Sequence, residues 1–127
     1  MPLVRISMRA GRAPAAVTAI GDAVHRALVE AAKAPADGKF QIVTQHGPDG
    51  LAHPDSYMDV PKSDAIVVIQ ITMNAGRTIE VKRALYAKIA ELLEKDAGVR
   101  PGDVIISLVE VPKENWSWGG GEMTYVK

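Results

Sequence analysis

The chain contains the same short segment twice, as "ISMRAGR" at residues 6–12 and as "ITMNAGR" at residues 71–77. Five of the seven positions are identical, and Ser7 pairs with the similar Thr72. Self-similarity at a fixed offset indicates that one structural unit has been duplicated. The repeat therefore predicts two halves of similar structure, each opening with a strand that ends in a glycine turn.

A helical pattern follows each copy of the repeat. Apolar residues recur at spacings of three and four through 17–31 and again through 81–93, which is typical of a helix packed on one side. Pro14 suits the first turn of the earlier helix. Thr78 suits the N-cap of the later helix, and Gly98 suits its C-cap. We expect one helix in each half.

Each helix leads into a turn that contains proline and then into a β-type run. The runs are "FQIVTQ" at 40–45 and "VIISLVEV" at 104–111. A strand–helix–strand crossover of this length makes the two strands parallel and the connection right-handed. The predicted fold class is therefore α/β, a duplicated βαβ unit with a four-stranded sheet and two helices on one face.

We expect residues 1–127 to form a single domain, long enough to bury about two-thirds of its unfolded surface. Its two βαβ halves are about 1–46 and 63–111. The connection 46–62 holds the turn-forming residues of a long excursion and has room for a short hairpin. The tail 112–127 could add one short strand.

The predicted third strand, "AIVVIQIT" at 65–72, carries apolar residues on both of its alternating faces. Val67 and Ile69 belong to one face, and Ile66 and Val68 belong to the other. Strands that are buried on both sides have this pattern. Two helices cover only one face of the sheet, so the other face requires a partner, for which a second copy of the chain is the simplest source. We expect a homo-oligomer.

Composition excludes several classes of function. Fifteen basic and fifteen acidic residues balance and are scattered, which argues against binding nucleic acid or an anionic membrane. No run of about 18 apolar residues and no signal-peptide core is present, so we expect a cytoplasmic protein. The absence of cysteine excludes thiol chemistry. His46 and His53 lie among aspartates without a metal-ligand spacing, so neither a metal nor another cofactor is expected.

The chain resembles the tautomerase superfamily, and within it malonate semialdehyde decarboxylase and its relatives. The resemblance covers nearly the whole chain. It rests on a duplicated βαβ unit that begins Met-Pro and on five segments, "PLVRIS" at 2–7, "DAVHRALVE" at 22–30, "PADGKFQIVTQH" at 35–46, "AGRTIEVK" at 75–82 and "ENWSWGGG" at 114–121. It implies a homotrimer with a site beside each amino-terminal proline.

The resemblance also implies roles for individual residues. Pro2 becomes the catalytic amine once Met1 is removed, because an acylated prolyl nitrogen has no basic lone pair. Arg77 becomes the binder of a substrate carboxylate, a task for which its planar fork is suited. Trp116 and Trp118 become walls of the substrate pocket. A structural turn role for Arg77, like the one expected for its repeat counterpart Arg12, remains the alternative.

The chain departs from the family pattern in two places. Some members carry an arginine pair after the third strand, whereas this chain has Asn74 and Gly76 there and keeps only Arg77. The second departure concerns an acid of the decarboxylase pattern. Such decarboxylases carry an acid immediately before the basic-aromatic pair that here ends in Phe40, and this chain has Gly38 there. Asp37 is the nearest acid and is therefore the third catalytic candidate. Phe40 and His25 are further candidates for substrate binding, although a histidine on a helix face is more often structural or solvated.

The protonation state of the prolyl amine decides the predicted reaction. A protonated amine polarises a carbonyl while a carboxylate leaves as carbon dioxide, whereas a neutral amine moves a proton between carbon and oxygen. A nearby cation lowers the pKa of the amine, and a carboxylate raises it. The leading prediction is a decarboxylase acting on a small oxo acid. A keto–enol tautomerase, a hydratase of unsaturated acids and a non-catalytic trimeric binding protein are the alternatives.

Overall fold

The computed structural model describes residues 1–126 as a four-stranded sheet with two helices, together with a separate two-stranded hairpin. The long elements are confirmed close to their predicted bounds. In chain order the elements are β1 Leu3–Arg9, α1 Pro14–Ala32, β2 Phe40–His46, β3 Ser56–Tyr57, β4 Val60–Pro61, β5 Val67–Asn74, α2 Ile79–Ala97 and β6 Val104–Val111.

The sheet has the order β2-β1-β5-β6, which places the first strands of the two halves side by side at its centre. β1 pairs with β2 in parallel, and β5 pairs with β6 in parallel, as the crossover argument predicts. β1 and β5 run antiparallel, with Leu3 opposite Thr72. The two βαβ units therefore meet head to tail, and the predicted α/β fold class is confirmed.

Both helices begin where the sequence predicts, and α2 also ends where it predicts. Pro14 opens α1, and the hydroxyl of Thr78 caps α2 by accepting a hydrogen bond of 3.2 Å from the amide of Val81. Gly98 ends α2 with φ of 66°, in the left-handed region that glycine adopts without strain. At the end of α1 the same conformation falls on Lys33, which is not a glycine.

The core lies between the two helices and one face of the sheet. It is built from alternate residues of β1 and β5 together with the apolar stripes of both helices, and among its fully buried members are Ile6, Met8, Val24, Leu28, Ile69, Ile71, Leu85 and Ile89. Helices of this length are stabilised chiefly by burying such a stripe rather than by helix propensity.

The opposite face of the sheet is mixed in polarity, which corrects the expectation for β5. Gln70 and Thr72 point away from the helices beside Val68, and Ile66 lies buried in the turn before the strand. The strand pattern looked apolar on both faces because the predicted strand began two residues early. On this face, residues that pair across the four strands form rows. The row nearest the amino terminus is Phe40, Leu3, Thr72 and Val109. The next row is Ile42, Arg5, Gln70 and Ser107.

The connection and the tail complete the described chain. The excursion contains the hairpin of β3 and β4, as expected. The tail to residue 126 contains a single turn of 3-10 helix at 113–115 and no strand, so the strand considered there is absent from the described part of the chain. Among residues 1–126 no helix has the length and apolar character needed to cross a membrane.

Candidate active site

The sheet topology gathers four segments at one edge. Because β1 and β5 are antiparallel, Pro2, which precedes β1, lies close to the end of β5 at Asn74. Because β2 and β6 run parallel to their neighbours, the turn that precedes β2 and the tail that follows β6 reach the same edge. The residues predicted to act together come from these four segments, and they lie far apart in the sequence.

A cavity of about 510 Å³ opens at this edge, and we call it the site cavity. Asp37 and Trp118, both predicted from the sequence, lie on its wall. It is lined by Met1, Pro35, Asp37, Asn74, Lys113, Trp118, Thr124 and Tyr125. Pro2 is buried immediately behind Met1 at the head of β1. The volume is that of a pocket for a small molecule.

Arg77 is anchored by the backbone around it. Its Nε and Nη2 donate to the carbonyl of Ala32 at 3.3 Å and 3.1 Å, and its Nη1 donates to the carbonyl of Asn74 at 3.2 Å. Ala32 is the last residue of α1, where free carbonyls and the helix dipole favour a cation. A guanidinium has five N–H donors, so two remain after these three bonds. Arg77 is half-buried and fixed in orientation, and two of its donors remain for a carboxylate. It lines a separate cavity of about 260 Å³ at the end of α1 and is not on the wall of the site cavity.

The two tryptophans form a stacked pair, extended by a third ring. The rings of Trp116 and Trp118 lie 4.7 Å apart with 14° between their planes, and Phe40 lies 4.7 Å from Trp118 at 43°. Trp116 is buried, and its Nε1 donates to Oδ1 of Asn74 at 2.7 Å. Trp116 thus ties the tail to the end of β5, while Trp118 reaches the cavity wall. Phe40 supports Trp118 from β2.

The amino terminus lies in an electropositive and partly desolvated position. Burial lowers the pKa of the Met1 amino group below its ordinary value, and the Arg77 guanidinium lowers it further. The same amino group donates a hydrogen bond to the hydroxyl of Tyr125. A cation disfavours the charged form of an amine, so Arg77 acts electrostatically at the amino-terminal end of β1.

The remaining predicted residues lie in the turn at 34–39 and on the helix behind it. His25 lies on α1, outside the cavity lining, and its Nε2 is 2.9 Å from the carbonyl of Ala36. His25 therefore contacts the backbone of the turn from the helix side and does not line the cavity. Asp37, one residue later, faces the cavity. Gly38 is buried beside Met1, and as a glycine it provides no carboxylate at the position where the related decarboxylases carry an acid.

The sequence analysis did not identify Tyr125 as a site residue. It considered Asn74 only as the residue that stands where some family members have an arginine. Tyr125 lies 124 positions from Met1, so no local spacing could connect them. The three glycines at 119–121 have φ of 145°, 68° and 71°, and they reverse the tail. The reversal allows the amide of Trp118 to donate to the hydroxyl of Thr124 at 3.2 Å. The glycine run is a turn that returns the aromatic residue to the site.

Comparison with known proteins agrees with this geometry. Two family profiles, each described as a tautomerase enzyme, match residues 2–60 and 38–119. A probable tautomerase of Bacillus subtilis, YusQ, is 32% identical over 127 residues, which is 100% of both chains. A second from the same bacterium, YrdN, is 31% identical over 99% of this chain and 97% of its own.

Solved structures extend the comparison. Malonate semialdehyde decarboxylase, solved in wild-type, mutant and inactivated forms, matches with a TM-score of 0.90 at 32% identity over 97% of this chain and 95% of its own. A malonate semialdehyde decarboxylase inhibited by 3-bromopropiolate matches with a TM-score of 0.90 at 39% identity over 97% and 93%. A fused 4-OT trimer shares the fold, with a TM-score of 0.78 at 24% identity over 94% of each chain. The chain belongs to the tautomerase family of enzymes.

Proposed function

We propose that this protein is a cofactor-free enzyme whose amino-terminal proline, freed by removal of Met1, catalyses keto–enol tautomerisation of a small oxo acid. The observation that carries the proposal is the place of the amino terminus on the wall of the site cavity, where it bonds Tyr125 and where burial and Arg77 lower the pKa of the amino group. When Met1 is removed, the amine moves by one residue to Pro2, at the same edge of the sheet. Burial and a neighbouring cation both favour the neutral amine, which is the form that accepts a proton.

The proton moves between two atoms of the substrate. Arg77 holds the substrate carboxylate with its two remaining donors, and the carbonyl and its neighbouring carbon lie at the prolyl nitrogen. Pro2 accepts a proton from that carbon while the electron pair of the C–H bond forms the enol double bond and the carbonyl oxygen gains charge. The protonated amine then delivers the proton to that oxygen, so Pro2 ends the cycle neutral.

The rest of the site serves this transfer. The ring of Trp118, backed by the stacked ring of Trp116, covers one side of the cavity and excludes water, which strengthens the electrostatic contribution of Arg77. Tyr125, which bonds the amino terminus, supplies a hydroxyl that stabilises charge on the substrate oxygen.

Decarboxylation is the second candidate, and it is the reaction that leads the sequence prediction. It is supported by Asp37 on the cavity wall and by the match to two solved malonate semialdehyde decarboxylases. In this reaction the protonated amine polarises the carbonyl as the carboxylate leaves. The lowered pKa of the amino terminus favours the neutral amine, whereas this reaction needs the protonated amine, so we place it second.

We also propose that the chain assembles as a homotrimer. The sheet face that the helices leave uncovered includes Phe40, Ile42 and Val109, which are 44%, 42% and 37% exposed in the single chain. Burial of these side chains against another copy would remove apolar area from water. The hairpin adds the exposed Tyr57 and Met58 as further contact residues.

Deuterium incorporation tests the tautomerase proposal. Phenylpyruvate and pyruvate are incubated in heavy water with the protein, and loss of the proton next to the carbonyl is followed by NMR. Release of carbon dioxide from malonate semialdehyde is measured in parallel. Exchange by the wild type that is lost in Pro2→Ala supports the proposal. Absence of exchange with both acids, or exchange in a sample whose intact mass retains Met1 on every chain, would contradict it.

A further inference from the structure

Gly38 lies against the side chain of Met1. The residue is buried in the turn before β2, where its amide donates to the carbonyl of Pro35 at 3.0 Å. A Cβ added at this position would collide with Sδ of Met1 and lie 3.1 Å from Cγ of Met1. The next nearest atom is the Pro35 carbonyl oxygen at 3.4 Å, which is an ordinary contact. The space above Gly38 is therefore occupied by the methionine side chain.

Met1 extends through the site from Tyr125 to Gly38. Its amino group lies within the electrostatic influence of Arg77 and bonds Tyr125. Its unbranched, apolar side chain runs from there to Gly38. A molecule that holds a charge at Arg77 and a carbonyl at the nitrogen of Pro2 has the same path open to the rest of its chain once Met1 is removed.

Resting on the proposed function, we propose that Gly38 forms the floor of an apolar subpocket and that the substrate is a 2-oxo acid with an unbranched aliphatic chain. The proposal rests on the fit of an unbranched apolar side chain of the protein itself, that of Met1, in this space. Any side chain at position 38 would shorten it, so glycine here determines the length of substrate that binds.

The subpocket predicts a graded preference. Burial of one methylene contributes about a threefold to fourfold gain in kcat/KM. Rates of deuterium exchange should therefore rise from pyruvate through 2-oxobutanoate and 2-oxopentanoate to 2-oxohexanoate, by roughly 30-fold in total. Without the subpocket, longer chains would meet the wall and the series would be flat or falling.

Two substitutions at Gly38 test this with protein that lacks Met1. Gly38→Ala adds a Cβ that meets no backbone atom closer than 3.4 Å, so the variant is expected to fold. Gly38→Leu fills a space similar to that of the methionine side chain. We expect the ratio of kcat/KM for 2-oxohexanoate to that for pyruvate to fall about threefold in Gly38→Ala and at least tenfold in Gly38→Leu. Gly47→Ala is the matched control, because a Cβ there meets nothing within 4 Å.

The outcomes separate the two proposals. The subpocket is supported if kcat/KM of the wild type rises with chain length. In addition, the ratio of kcat/KM for 2-oxohexanoate to that for pyruvate must fall in both Gly38 variants and stay unchanged in Gly47→Ala. Catalysed exchange with a flat series, or with a ratio that Gly38→Ala leaves unchanged, overturns the subpocket and leaves the tautomerase proposal standing. Absence of catalysed exchange with every acid overturns the tautomerase proposal, and the subpocket proposal with it.

Discussion

Replacing Arg77 by alanine removes one guanidinium that serves two purposes, and the structure gives a magnitude for each. The first is structural. Three hydrogen bonds to the carbonyls of Ala32 and Asn74 are lost at a half-buried position. Bonds of this kind contribute about 0.5–1.5 kcal/mol each, and the exposed carbonyls recover part of that by binding water. We expect the free energy of unfolding to fall by about 1–3 kcal/mol, measured by urea titration.

The second purpose is binding of the substrate carboxylate. Losing a charge-assisted pair of hydrogen bonds costs about 2–3 kcal/mol of transition-state stabilisation, so kcat/KM should fall about 30- to 150-fold. Deuterium exchange of a 2-oxo acid measures this at a temperature where the variant is fully folded. Arg77→Lys retains the charge without the planar fork, and its kcat/KM should lie between those of the wild type and Arg77→Ala.

The repeat supplies the matched control. Arg12 occupies the same place in the first copy and donates one hydrogen bond, to the carbonyl of Ala65. It follows the end of β1 that lies opposite to Pro2. Arg12→Ala should lower stability by about 1 kcal/mol and change kcat/KM less than twofold. If Arg77→Ala loses stability but keeps the kcat/KM of Arg12→Ala, Arg77 is a turn residue only and its catalytic role is refuted.

Three further predictions concern pH and stability. Because burial and Arg77 lower the pKa of the terminal amine, the rate of deuterium exchange should rise with pH through that pKa and then level off. Arg77→Ala should move this rise to higher pH. The rate of a decarboxylase would instead fall with pH through the same pKa. Trp116→Phe removes the bond to Asn74 and should cost about 1–2 kcal/mol in urea, more than Trp118→Phe, whose indole nitrogen has no hydrogen-bond partner among the described residues. Burial acts to raise the pKa of Asp103, but its hydrogen bonds and a nearby cation hold that pKa below the ordinary value. The wild type should therefore lose stability as pH falls from about 4 through the folded pKa, and Asp103→Asn, followed by acid titration of its circular dichroism, should lack that loss.

The sequence predicted the elements of the fold because each depends on residues that are neighbours in the chain. Apolar spacing of three and four predicted both helices. Pro14 and Thr78 predicted where they begin, and Gly98 predicted where α2 ends. The repeat established that there are two βαβ units, and a crossover of that length allows only parallel strands. These are local constraints, and tertiary contacts did not override them.

The sequence also selected residues that the structure brings to one edge of the sheet. Pro2, Asp37, Arg77 and Trp118 come from four segments that no spacing links, and their selection came from resemblance to a family rather than from periodicity. The family is confirmed by the comparisons, and the catalytic roles remain predictions.

Only the tertiary structure decided what each site residue contacts. Antiparallel pairing of β1 with β5 sets Asn74 beside the amino terminus, and the glycine turn returns Tyr125 to it across 124 positions. Arg77 is held by the end of the other half's helix, and His25 lies behind a turn instead of in the cavity. Contacts of this kind depend on strand order and on the path of the tail, which involve the whole chain at once. Local sequence patterns determine which elements form, whereas the packing of distant elements determines which side chains meet.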